Sequence, residues 1–486
     1  MTIERQRHRS ISAVILAGGT GARFWPLSRE LTPKQLLSIF GEESLIVQAI
    51  TRVQPFIAHQ AGAIRIVTNE RLLNTLQEHL QEQEAEWRDW VSFSVEPVAR
   101  NTAPAIALAA AEAARDDPDA ILLVLPSDHI LQADDAWLAT IREAIHLADD
   151  AFLVMIGLQP TRPETGYGYI VGGEVVPDYL DNVTAPRHVR RFIEKPPLVL
   201  AERLVAQTGV YWNAGIFCFR ATRLLQAMRD AGRADIVDTC EWLVRQPKAQ
   251  WTDEEAIRRF SALPSISIDH AVMEHATHLA VVPAHIHWDD VGSLLSLERL
   301  QSPDARGNIR IGRSVDLDSQ DLTVYSTHRL IATLGLANCI VVDTNDATLI
   351  CPKDRCQDIR WLTDTLKSSE AKELIEPCIS YRSWGTWSTI VRQQGFEIRL
   401  LEIQPGGQSY LHLHRQRTET LVVLAGTLTL HLNQDQRTLL PAENCIVPPE
   451  FPHWFENTGS EIVRALEIIL GDSISETDVI RLSNPE

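Results

Sequence analysis

The stretch Ala13–Leu37, AVILAGGTGARFWPLSRELTPKQLL, decides the fold of the first part of the chain. An apolar run of strand length breaks off at a glycine-rich loop, and two cations, Arg23 and Lys34, follow. α/β folds hold phosphate with a strand, a glycine loop and a helix start, because glycine lets backbone N–H groups approach an anion. The loop fits neither GxGxxG nor GxxxxGK[ST]. Its glycines alone favour an ordinary turn, whereas the added cations suit a polyphosphate whose leaving group gains charge.

An α/β pattern extends from this stretch to about Leu300. Strands are predicted at Ser12–Leu16, Ala63–Thr68, Ile121–Leu125, Ala151–Gly157 and Ile216–Arg220. Helices are predicted at Ser44–Val53, Glu70–Glu84 and Asp134–Asp149. This alternation predicts a Rossmann-like α/β domain with a mostly parallel sheet and helices on both faces.

The rest of the chain is rich in short strands. A turn-rich segment, SPDARGN at 302–308, separates the α/β pattern from closely spaced strands and one helix, predicted at Ile309–Gly312, Leu322–Ser326, Leu330–Leu334, Cys339–Val342, Ala347–Cys351 and Lys353–Ser368. This small mixed β section is compatible with turns of a β-helix, although no clean repeat period supports one. From Ile379 an all-β region follows. The predicted domains are 11–302, 303–370 and 376–475.

Composition narrows the possible partners. The chain has 486 residues and a formal net charge of −19 at pH 7. Its length predicts two or three domains, and its acidity argues against binding nucleic acid or an anionic membrane. No apolar run approaches the length of a membrane span. The seven cysteines are scattered without disulfide spacing, which predicts reduced thiols and a cytoplasmic location.

The first loop resembles a known family. The pattern LAGGxGxRxWPLSR…PKQ is similar to the signature of sugar-nucleotide pyrophosphorylases, and its WPLSR form resembles the mannose-1-phosphate guanylyltransferases. Seven further blocks follow in the family's order, at Glu96–Ala105, Leu125–His129, Arg162–Ile170, Phe192–Pro196, Tyr211–Phe217, Ser267–Glu274 and Trp288–Ser293. The resemblance covers nearly the whole chain. It implies a homo-oligomer that transfers GMP from GTP to α-D-mannose 1-phosphate, giving GDP-mannose and pyrophosphate.

The resemblance also implies which residues form the site. The catalytic set is Arg23, Lys34, Asp128, Lys195 and Asp290. The nucleotide-binding set is Leu16, Ala17, Gly18, Gly19, Gly21, Arg100, Asn101, Thr102 and Pro104. The sugar-phosphate set is Glu164, Gly168, Glu194 and Asn213. Two carboxylates near a triphosphate are the usual minimum for Mg²⁺, so Asp128 and Asp290 are the expected ligands, although each alone is also compatible with capping a helix.

Two alternatives to this assignment stay open. One is an enzyme of the same fold that uses glucose 1-phosphate with UTP or dTTP, which the blocks Trp25–Arg29 and Arg100–Pro104 argue against. The other is a regulator that binds sugar phosphate with an inactive transferase domain. Retention of all five catalytic residues argues against that loss of activity.

Spacings near the carboxyl end predict a cupin barrel. Gly406-x5-His412-x-His414-x4-Glu419-x6-Gly426 is followed by Pro448-x4-His453-x3-Asn457, and these are similar to the two cupin motifs. His412 and His414 share a strand face. Three imidazoles and a carboxylate suit a divalent transition metal, zinc or similar, with positions open for substrate. A cupin that has lost its metal is the less favoured alternative.

A guanylyltransferase followed by a cupin resembles the bifunctional enzymes that also interconvert mannose 6-phosphate and fructose 6-phosphate. Their metal motif reads QMHHHRAEHW, whereas residues 412–421 read HLHRQRTETL. Arg417 is kept and is the isomerase candidate, but three family histidines are replaced by Arg415, Gln416 and Thr420. None of these titrates near neutrality. We therefore expect the barrel fold with weak or no isomerase activity, and a barrel that only binds or senses sugar phosphate is the alternative.

Overall fold

The computed structural model describes residues 10–57, 62–83, 85–177, 185–382, 384–471, 474 and 478–482. Glu84, the last residue of one predicted helix, lies outside them, as do 383, 472–473 and 475 of the predicted 376–475 domain. The chain forms two compact units. The first contains the described residues up to Asp304 together with Cys351–Asp364, and the second contains Ala305–Ile350 and the described residues from Thr365 onward.

A nine-stranded sheet forms the centre of the first unit. The strands up to residue 289 are β1 (Ile11–Leu16), β2 (Ile64–Asn69), β3 (Val91–Glu96), β4 (Ile121–Pro126), β5 (Ile130–Leu131), β6 (Leu153–Leu158), β7 (Gly168–Val175), β8 (Arg187–Glu194), β9 (Val210–Arg220), β10 (Leu279–Ala284) and β11 (Trp288–Asp289). Their order in the sheet is β3-β2-β1-β4-β9-β6-β10-β8-β7, while β5 and β11 pair separately.

The sheet is parallel on one side and mixed on the other. β3, β2, β1 and β4 pair in parallel. β9 then runs antiparallel between β4 and β6, and β8 runs antiparallel to β10 and β7. Seven of the nine strands therefore share one direction, and only the second half of the sheet departs from the predicted parallel pattern. β9 begins at Val210, six residues before the predicted strand.

Helices cover both faces of this sheet, which confirms the predicted layers. They are α1 (Leu45–Thr51), α2 (Glu70–Gln81), α3 (Thr102–Asp116), α4 (Asp135–Asp149), α5 (Leu198–Val205), α6 (Ala221–Asp230), α7 (Ala234–Val244) and α8 (Glu254–Ser261). Alternate residues of a strand point to opposite faces. Ala13 and Ile15 accordingly pack in one core with α1, α2 and α4, whereas Val14 packs in the other with α3, α6 and α7.

The middle strands form a β-helix. They are β12 (Ile309–Ile311), β13 (Ser314–Leu317), β14 (Gln320–Ser326), β15 (Ile331–Leu334), β16 (Ala337–Asp343) and β17 (Thr348–Pro352). The first five strands alternate between two sheets, one with the order β12-β14-β16-β17 and the other β13-β15. The ladders β12–β14, β14–β16 and β13–β15 are parallel. Leu322, Val324 and Val341 fill the interior between the turns.

The predicted middle section 303–370 is divided between the two units. A 3₁₀ turn (Lys353–Asp358) and α9 (Ile359–Ser368) replace the single predicted helix. Residues 351–364 group with the first unit instead of with the strands before them. Lys353 Nζ is 2.8 Å from Glu298 Oε1 there, which is one physical reason for the grouping.

The carboxyl-terminal region is all-β, as predicted. Its strands are β18 (Ile379–Arg382), β19 (Gly385–Gln393), β20 (Phe396–Ile403), β21 (His412–His414), β22 (Thr418–Ala425), β23 (Leu428–Leu432), β24 (Asp435–Leu439), β25 (Asn444–Val447), β26 (His453–Glu456), β27 (Val463–Leu470) and β28 (Val479–Arg481). They form sheets with the orders β18-β19-β20-β27-β22-β25 and β24-β23-β26-β21-β28. Trp387, Leu401, Val423, Leu430 and Phe455 share one core between these sheets, the architecture of a cupin.

Two other predictions concern the surroundings of the chain. Among the described residues, none of the helices combines the length and the apolar character that crossing a bilayer requires. The seven cysteines are free thiols, as their spacing predicts. Cys351 Sγ and Cys356 Sγ are the pair brought together, at 3.8 Å.

Gly312→Ala is expected to destabilise the β-helix, because the added Cβ would lie 2.0 Å from the backbone oxygen of Ser326. Gly335 is the matched control, since both glycines have positive φ but a Cβ at Gly335 meets nothing within 4 Å. We expect a loss of about 1 kcal/mol for Gly335→Ala from backbone strain and about 3 kcal/mol for Gly312→Ala. Urea titration followed by circular dichroism measures both, and equal losses would contradict the steric explanation.

Candidate active site and metal centre

The glycine loop after β1 directs its carbonyl oxygens into the protein. Side chains below it donate hydrogen bonds from Ser127 Oγ to Leu16 O (2.7 Å), Thr68 Oγ1 to Ala17 O (3.1 Å), Asn69 Nδ2 to Gly18 O (3.3 Å), Gln35 Nε2 to Gly19 O (3.1 Å) and Ser28 Oγ to Gly21 O (2.7 Å). A trans peptide places C=O and N–H on opposite sides. The N–H groups of Gly18, Gly19, Thr20 and Ala22 therefore point away from these donors and form a cradle suited to phosphate.

None of these five donors is among the predicted site residues. Gln35 and Ser28 lie inside the family blocks PKQ and WPLSR, so a signal for them existed. Thr68 and Asn69 end β2, and only the pairing of β2 with β1 brings them to the loop. Their role depends on tertiary structure and has no local pattern.

Lys34 lies beneath the loop and joins three chain segments. Its ammonium is 2.8 Å from Asp128 Oδ2 and donates to the carbonyl oxygens of Asp290 (2.9 Å) and Val291 (2.8 Å). The side chain is only 6 % exposed, so all three ammonium hydrogens are used inside the protein. Gly21 makes this packing possible, because its φ is +67° and a Cβ would lie 2.6 Å from Lys34 Cβ. Lys34 thus brings together the two predicted Mg²⁺ ligands.

Asp128 is ionised and partly open. Burial opposes its charge, but the nearby Lys34 ammonium holds the pKa of Asp128 below its ordinary value. His129 stays neutral, because burial lowers the pKa of this imidazole to about 4, and Trp288 Nε1–H donates to its Nδ1 at 3.2 Å. The Asp128 side chain is 36 % exposed, which leaves it accessible to a cation.

Asp290 follows β11 and is oriented by Tyr167. The Tyr167 hydroxyl donates to Asp290 Oδ1 at 2.7 Å. Burial, and then the charge of Asp290, raise the pKa of Tyr167, so the hydroxyl stays protonated and remains a donor. Val291 has φ +48°, and its N–H donates to Asp289 Oδ1 at 2.6 Å. This tight turn directs the carbonyls of Asp290 and Val291 at Lys34.

Three predicted sugar-phosphate residues lie close together: Gly168 at the start of β7, Glu194 at the end of β8 and Asn213 within β9. Gly168 pairs with Glu194, and a Cβ at Gly168 would lie 2.7 Å from Glu194 Oε2 and 3.4 Å from Asn213 Cβ. Lys195 Nζ is 2.8 Å from Glu194 Oε1, and its side chain is 63 % exposed and can meet a ligand. Asn213 Nδ2 donates to Asp269 Oδ1 at 2.9 Å.

Asp269 is a further candidate site residue, which no sequence pattern singled out although the block Ser267–Glu274 contains it. Burial, and then the charge of Glu194, raise the pKa of Asp269 to about 6. Its carboxyl group orients the Asn213 amide. A carboxyl with a raised pKa beside a candidate substrate site is typical of functional positions.

The predicted nucleotide-binding block forms the start of α3. Asn101 has φ +68°, and its Oδ1 accepts from the N–H of Thr102 at 2.8 Å. Pro104 is buried in the first turn of the helix. The guanidinium of Arg100 donates to the carbonyl of Ser261. Within the described residues, the structure thus engages Arg100 with the protein and not with the glycine loop.

Two further predicted residues, Arg23 and Glu164, make contacts away from Lys34 and the carbonyls that it binds. Arg23 is exposed, and its Nη1 donates to Gln357 Oε1 at 2.8 Å. Glu164 Oε1 accepts from the N–H of Gly166 at 3.1 Å and shapes the turn before β7. A pocket of about 320 Å³ lies beside this turn and the Asp290 segment, lined by Leu158, Gln159, Thr161, Arg162, Tyr167, Trp212, Ala284, His285, Ile286, His287, Trp288, Asp289 and Arg299.

The barrel brings all four predicted metal ligands into one cluster. The nearest ligand atoms of His412, His414, Glu419 and His453 lie within 4.8 Å of one another. His412 and His453 are directly paired across β21 and β26. Glu419 Oε1 is 3.0 Å from His414 Nε2, and its Oε2 is 3.3 Å from His453 Nε2.

The hydrogen bonds around the cluster favour a bound cation. His412 Nδ1 is 2.7 Å from the carbonyl of Tyr410, and His453 Nδ1 is 2.9 Å from that of Phe451. A carbonyl only accepts, so each Nδ1 carries the proton, and a neutral ring presents its Nε2 lone pair to the cluster. A lone pair facing a carboxylate oxygen is repulsive unless a proton or a metal ion lies between them. The donor set fits a divalent transition metal.

Two other charged groups border the cluster. Arg417 is buried, and its Nε donates to Glu419 Oε1 at 3.0 Å, so it positions this ligand and cannot act as a base. Glu467, on β27, was missed by the sequence analysis. Burial, and then the charge of Glu419, raise the pKa of Glu467 to about 7. Its Oε2 is 3.6 Å from Arg399 Nη1.

Comparison with known proteins identifies the family. Residues 12–306 match the nucleotidyl transferase family, 312–366 the MannoseP isomerase/GMP-like beta-helix domain, and 369–484 the mannose-6-phosphate isomerase C-terminal family. A Klebsiella pneumoniae protein named mannose-1-phosphate guanylyltransferase is 35 % identical over 473 residues, covering 97 % of this chain and 98 % of that protein. The chain belongs to the mannose-1-phosphate guanylyltransferase family.

Other relatives agree with membership in the guanylyltransferase family. The xanthan biosynthesis protein XanB of Xanthomonas campestris pv. campestris (strain B100) is 37 % identical over 475 residues, covering 97 % of this chain and 98 % of that protein. The crystal structure of a protein named mannose-1-phosphate geranyltransferase, from Thermus thermophilus, superposes with a TM-score of 0.63 at 31 % identity. It covers 74 % of this chain and 99 % of that one.

Asp269→Asn is expected to become more stable relative to the wild type as the pH rises from 4.5 to 7. The folded protein binds a proton at Asp269 up to about pH 6, whereas an unfolded chain releases it near the ordinary pKa of 3.8. The wild type therefore loses stability across this window, by about 1–2 kcal/mol after allowance for partial exposure, and asparagine does not. Thermal unfolding at each pH measures the difference, and a gap that is constant or narrows with pH would contradict the assignment.

Proposed function

We propose that this chain transfers GMP from GTP to α-D-mannose 1-phosphate, releasing pyrophosphate and giving GDP-mannose. The observation that carries the proposal is Lys34, which joins Asp128 to the Asp290 turn beneath an outward-facing N–H cradle. The sugar-phosphate candidates Glu194 and Asn213 both border Gly168, and Lys195 directly follows Glu194. The names of the Klebsiella relative and of others in the family support the same reaction.

The reaction needs no covalent intermediate. An oxygen of the mannose 1-phosphate attacks the α-phosphorus of GTP, and the bond between that phosphorus and the oxygen bridging to the β-phosphate breaks. A phosphate monoester is largely ionised at pH 7, so no protein base has to remove a proton. The contribution of the chain is positioning and neutralisation of charge.

Each group in the site then has a defined task. The N–H groups of the loop hold the phosphates that leave, and exposed Lys195 binds the phosphate of the sugar. Asp128 and Asp290 would hold Mg²⁺, which supplies positive charge to the phosphate oxygens. The fit rests on two carboxyl groups held in place by Lys34 and Tyr167. Lys34 acts by positioning these carboxylates.

Pyrophosphate release from a matrix of GTP, ATP, UTP and dTTP against several sugar 1-phosphates tests the proposal. We expect turnover with GTP and mannose 1-phosphate to exceed every other pair by at least about tenfold. Preference for UTP or dTTP with glucose 1-phosphate would instead support the other enzyme of this fold. No turnover with any pair would support the alternative of a regulator that binds sugar phosphate with an inactive transferase domain.

Two variants separate the halves of the site in the same assay. Lys195→Ala should raise the KM for mannose 1-phosphate about tenfold or more, because a charge-assisted contact to its phosphate is lost, with little change for GTP. Arg23→Ala should instead raise the KM for GTP. Equal effects of both variants on both substrates would contradict this division of roles.

We further propose that the barrel binds a divalent transition metal. The support is the cluster of His412, His414, Glu419 and His453, with the protons of two imidazoles directed outward. A second candidate function for the barrel is interconversion of mannose 6-phosphate and fructose 6-phosphate. A bound metal would polarise the sugar carbonyl.

The place of Glu467 in the barrel and its raised pKa favour this second function. The reaction moves a proton between C1 and C2 of the sugar, which requires a base that titrates near neutrality. The replaced family histidines leave none in the motif itself. The carboxyl of Glu467, whose pKa burial raises to about 7, meets the requirement within the barrel interior. Arg399, at 3.6 Å, orients it.

Metal content and isomerase turnover of the full-length protein test both parts. We expect close to one metal ion per chain, lost in the His412→Ala/His414→Ala double variant and retained in Glu467→Gln. If the barrel is an isomerase, Glu467→Gln should lower isomerase turnover at least about a hundredfold while the metal stays bound. Metal without isomerase activity in the wild type would support a barrel that only binds sugar phosphate. GDP-mannose formation in the same preparations reports whether each chain has folded.

A further inference from the structure

Two cysteine thiols lie side by side where β17 leads into the 3₁₀ turn Lys353–Asp358. Cys351 is on the strand and Cys356 is in the turn, and their sulfur atoms are 3.8 Å apart. A disulfide bond joins its two sulfurs at about 2 Å, so the side chains need to approach each other by less than about 2 Å. The pair is therefore placed for oxidation to a disulfide with a small local movement.

The two thiols differ in exposure and in acidity. Cys351 is half-buried, whereas Cys356 is buried. The hydrogen bond with Cys356 lowers the pKa of the Cys351 thiol, against the effects of burial and of the charge of Asp354. The same hydrogen bond, and then burial, raise the pKa of Cys356, which keeps its proton. A reachable, more acidic thiol beside a second thiol is the arrangement in which the first is oxidised and the second completes the disulfide.

The turn that contains Cys356 contacts a residue of the predicted transferase site. Gln357, the next residue in the chain, accepts a hydrogen bond at its Oε1 from Arg23 Nη1 at 2.8 Å. Both residues belong to the first unit. The Arg23 side chain is exposed, so this contact reduces the number of conformations that its guanidinium can adopt. Gln357 is thus a positioning residue for Arg23.

Formation of a disulfide would displace this turn. Cys351 belongs to a β-strand, whereas Cys356 belongs to a 3₁₀ turn, in which the hydrogen-bond geometry is poorer. The turn is therefore the part that moves when the two sulfurs approach each other. Because Gln357 directly follows Cys356, its amide moves with the turn and leaves the guanidinium of Arg23.

We propose that Cys351 and Cys356 form a redox site, at which hydrogen peroxide produces a reversible disulfide that separates Gln357 from Arg23. Formation of the bond depends on the two thiols alone. Its effect on Arg23 deepens the proposed guanylyltransferase function and rests on it, because Arg23 is expected to bind the triphosphate of GTP.

The reaction consumes one hydrogen peroxide for each pair of thiols. The Cys351 thiolate attacks one peroxide oxygen, the O–O bond breaks, and hydroxide leaves and takes up the proton that the thiol had released. Cys356 Sγ then attacks the sulfur of the resulting sulfenic acid, and its proton leaves with the hydroxyl group as water. The two sulfurs lose two electrons and the two peroxide oxygens gain them. A dithiol restores both thiols by thiol–disulfide exchange.

Mass spectrometry of the full chain after treatment with hydrogen peroxide tests the redox site. We expect the loss of two of the seven free thiols, their recovery with dithiothreitol, and a cross-linked peptide that joins Cys351 to Cys356. Cys356→Ser should instead stop at a sulfenic acid on Cys351, which dimedone traps. Cys339→Ser is the matched control, since this half-buried thiol lies 3.1 Å from the carbonyl of Ala337. It should leave the cross-link unchanged.

Steady-state kinetics of the same preparations test the effect on Arg23. Oxidation should raise the KM for GTP about three- to tenfold, the loss expected for one hydrogen bond, and change the KM for mannose 1-phosphate less than about twofold. Gln357→Ala should raise the KM for GTP by a similar factor in the reduced protein, still form the disulfide, and no longer respond to it. Cys351→Ser should match the reduced wild type before and after peroxide treatment.

The outcomes that contradict the proposal are distinct for its two parts. Thiols that all stay reduced, or that are lost without a bond between Cys351 and Cys356, would overturn the redox site. A disulfide that leaves the KM for GTP unchanged, or that changes it equally in Gln357→Ala, would overturn the role of Gln357.

Calorimetry of GTP binding with Mg²⁺ separates this proposal from the proposed function. It compares the reduced and oxidised forms of the wild type and of Gln357→Ala in the absence of sugar phosphate. If the protein transfers no GMP but the disulfide still weakens GTP binding in the wild type alone, the proposed function fails and the redox site stands. Equal affinities of the reduced and oxidised wild type would overturn the effect on Arg23 whatever the protein catalyses.

Discussion

The contacts of the Lys34 ammonium are the constraint on which the transferase site depends. They join the segment after β4 to the turn after β11 at distances of 2.8–2.9 Å, beneath the loop that follows β1. A buried ammonium is stable only when its charge is paired and its hydrogens are bonded. Asp128 supplies the charge and two carbonyls supply the remaining acceptors. The geometry of the two carboxylates is thus fixed before any ligand arrives, which lowers the cost of ordering the site during the reaction.

The backbone of the loop is prepared in the same way. Five carbonyls of the loop, those of residues 16–19 and 21, accept hydrogen bonds from the side chains of Ser127, Thr68, Asn69, Gln35 and Ser28. An anion therefore meets N–H groups and not oxygens. This orientation explains why a chain with a net charge of −19 can bind a triphosphate, because local dipoles act at contact distance while the distant charges are screened by salt.

Local patterns predicted the strands and loops that bury apolar residues, and tertiary pairing determined the rest. β1 and β4 were predictable as strands because they are almost wholly apolar, and β2 because it contains the β-branched residues Ile64, Ile66 and Val67. β8, with the sequence RHVRRFIE, was not predicted because it is highly charged. β10 was not predicted because it contains Pro283, and a proline cannot donate a hydrogen bond to a neighbouring strand. Their places in the sheet come from antiparallel and long-range partners that no local window contains.

The residues of the candidate sites fall into the same two groups, those predictable from local spacing and those recognisable only in the folded chain. Spacing within one strand or one loop predicted His412, His414 and the glycines, because strand and turn periodicity place such residues together. Asp269 and Glu467 lie in predicted blocks or strands, yet nothing in their neighbours marks them as functional. Their significance arises from burial beside another carboxylate, Glu194 for the first and Glu419 for the second. That property exists only in the folded chain.

Buried carboxyl groups with raised pKa values are a feature common to the three candidate ligand sites. Glu96 beside the glycine loop, Asp269 beside the sugar-phosphate residues and Glu467 in the barrel all have pKa values raised first of all by burial. In the free protein burial makes the ionised form of each group costly, so each carboxyl keeps its proton to a higher pH than an exposed carboxyl does. Their cost in stability is concentrated where a ligand brings hydrogen-bond donors or a proton to move. The same burial that weakens the empty fold therefore strengthens its discrimination once a ligand is bound.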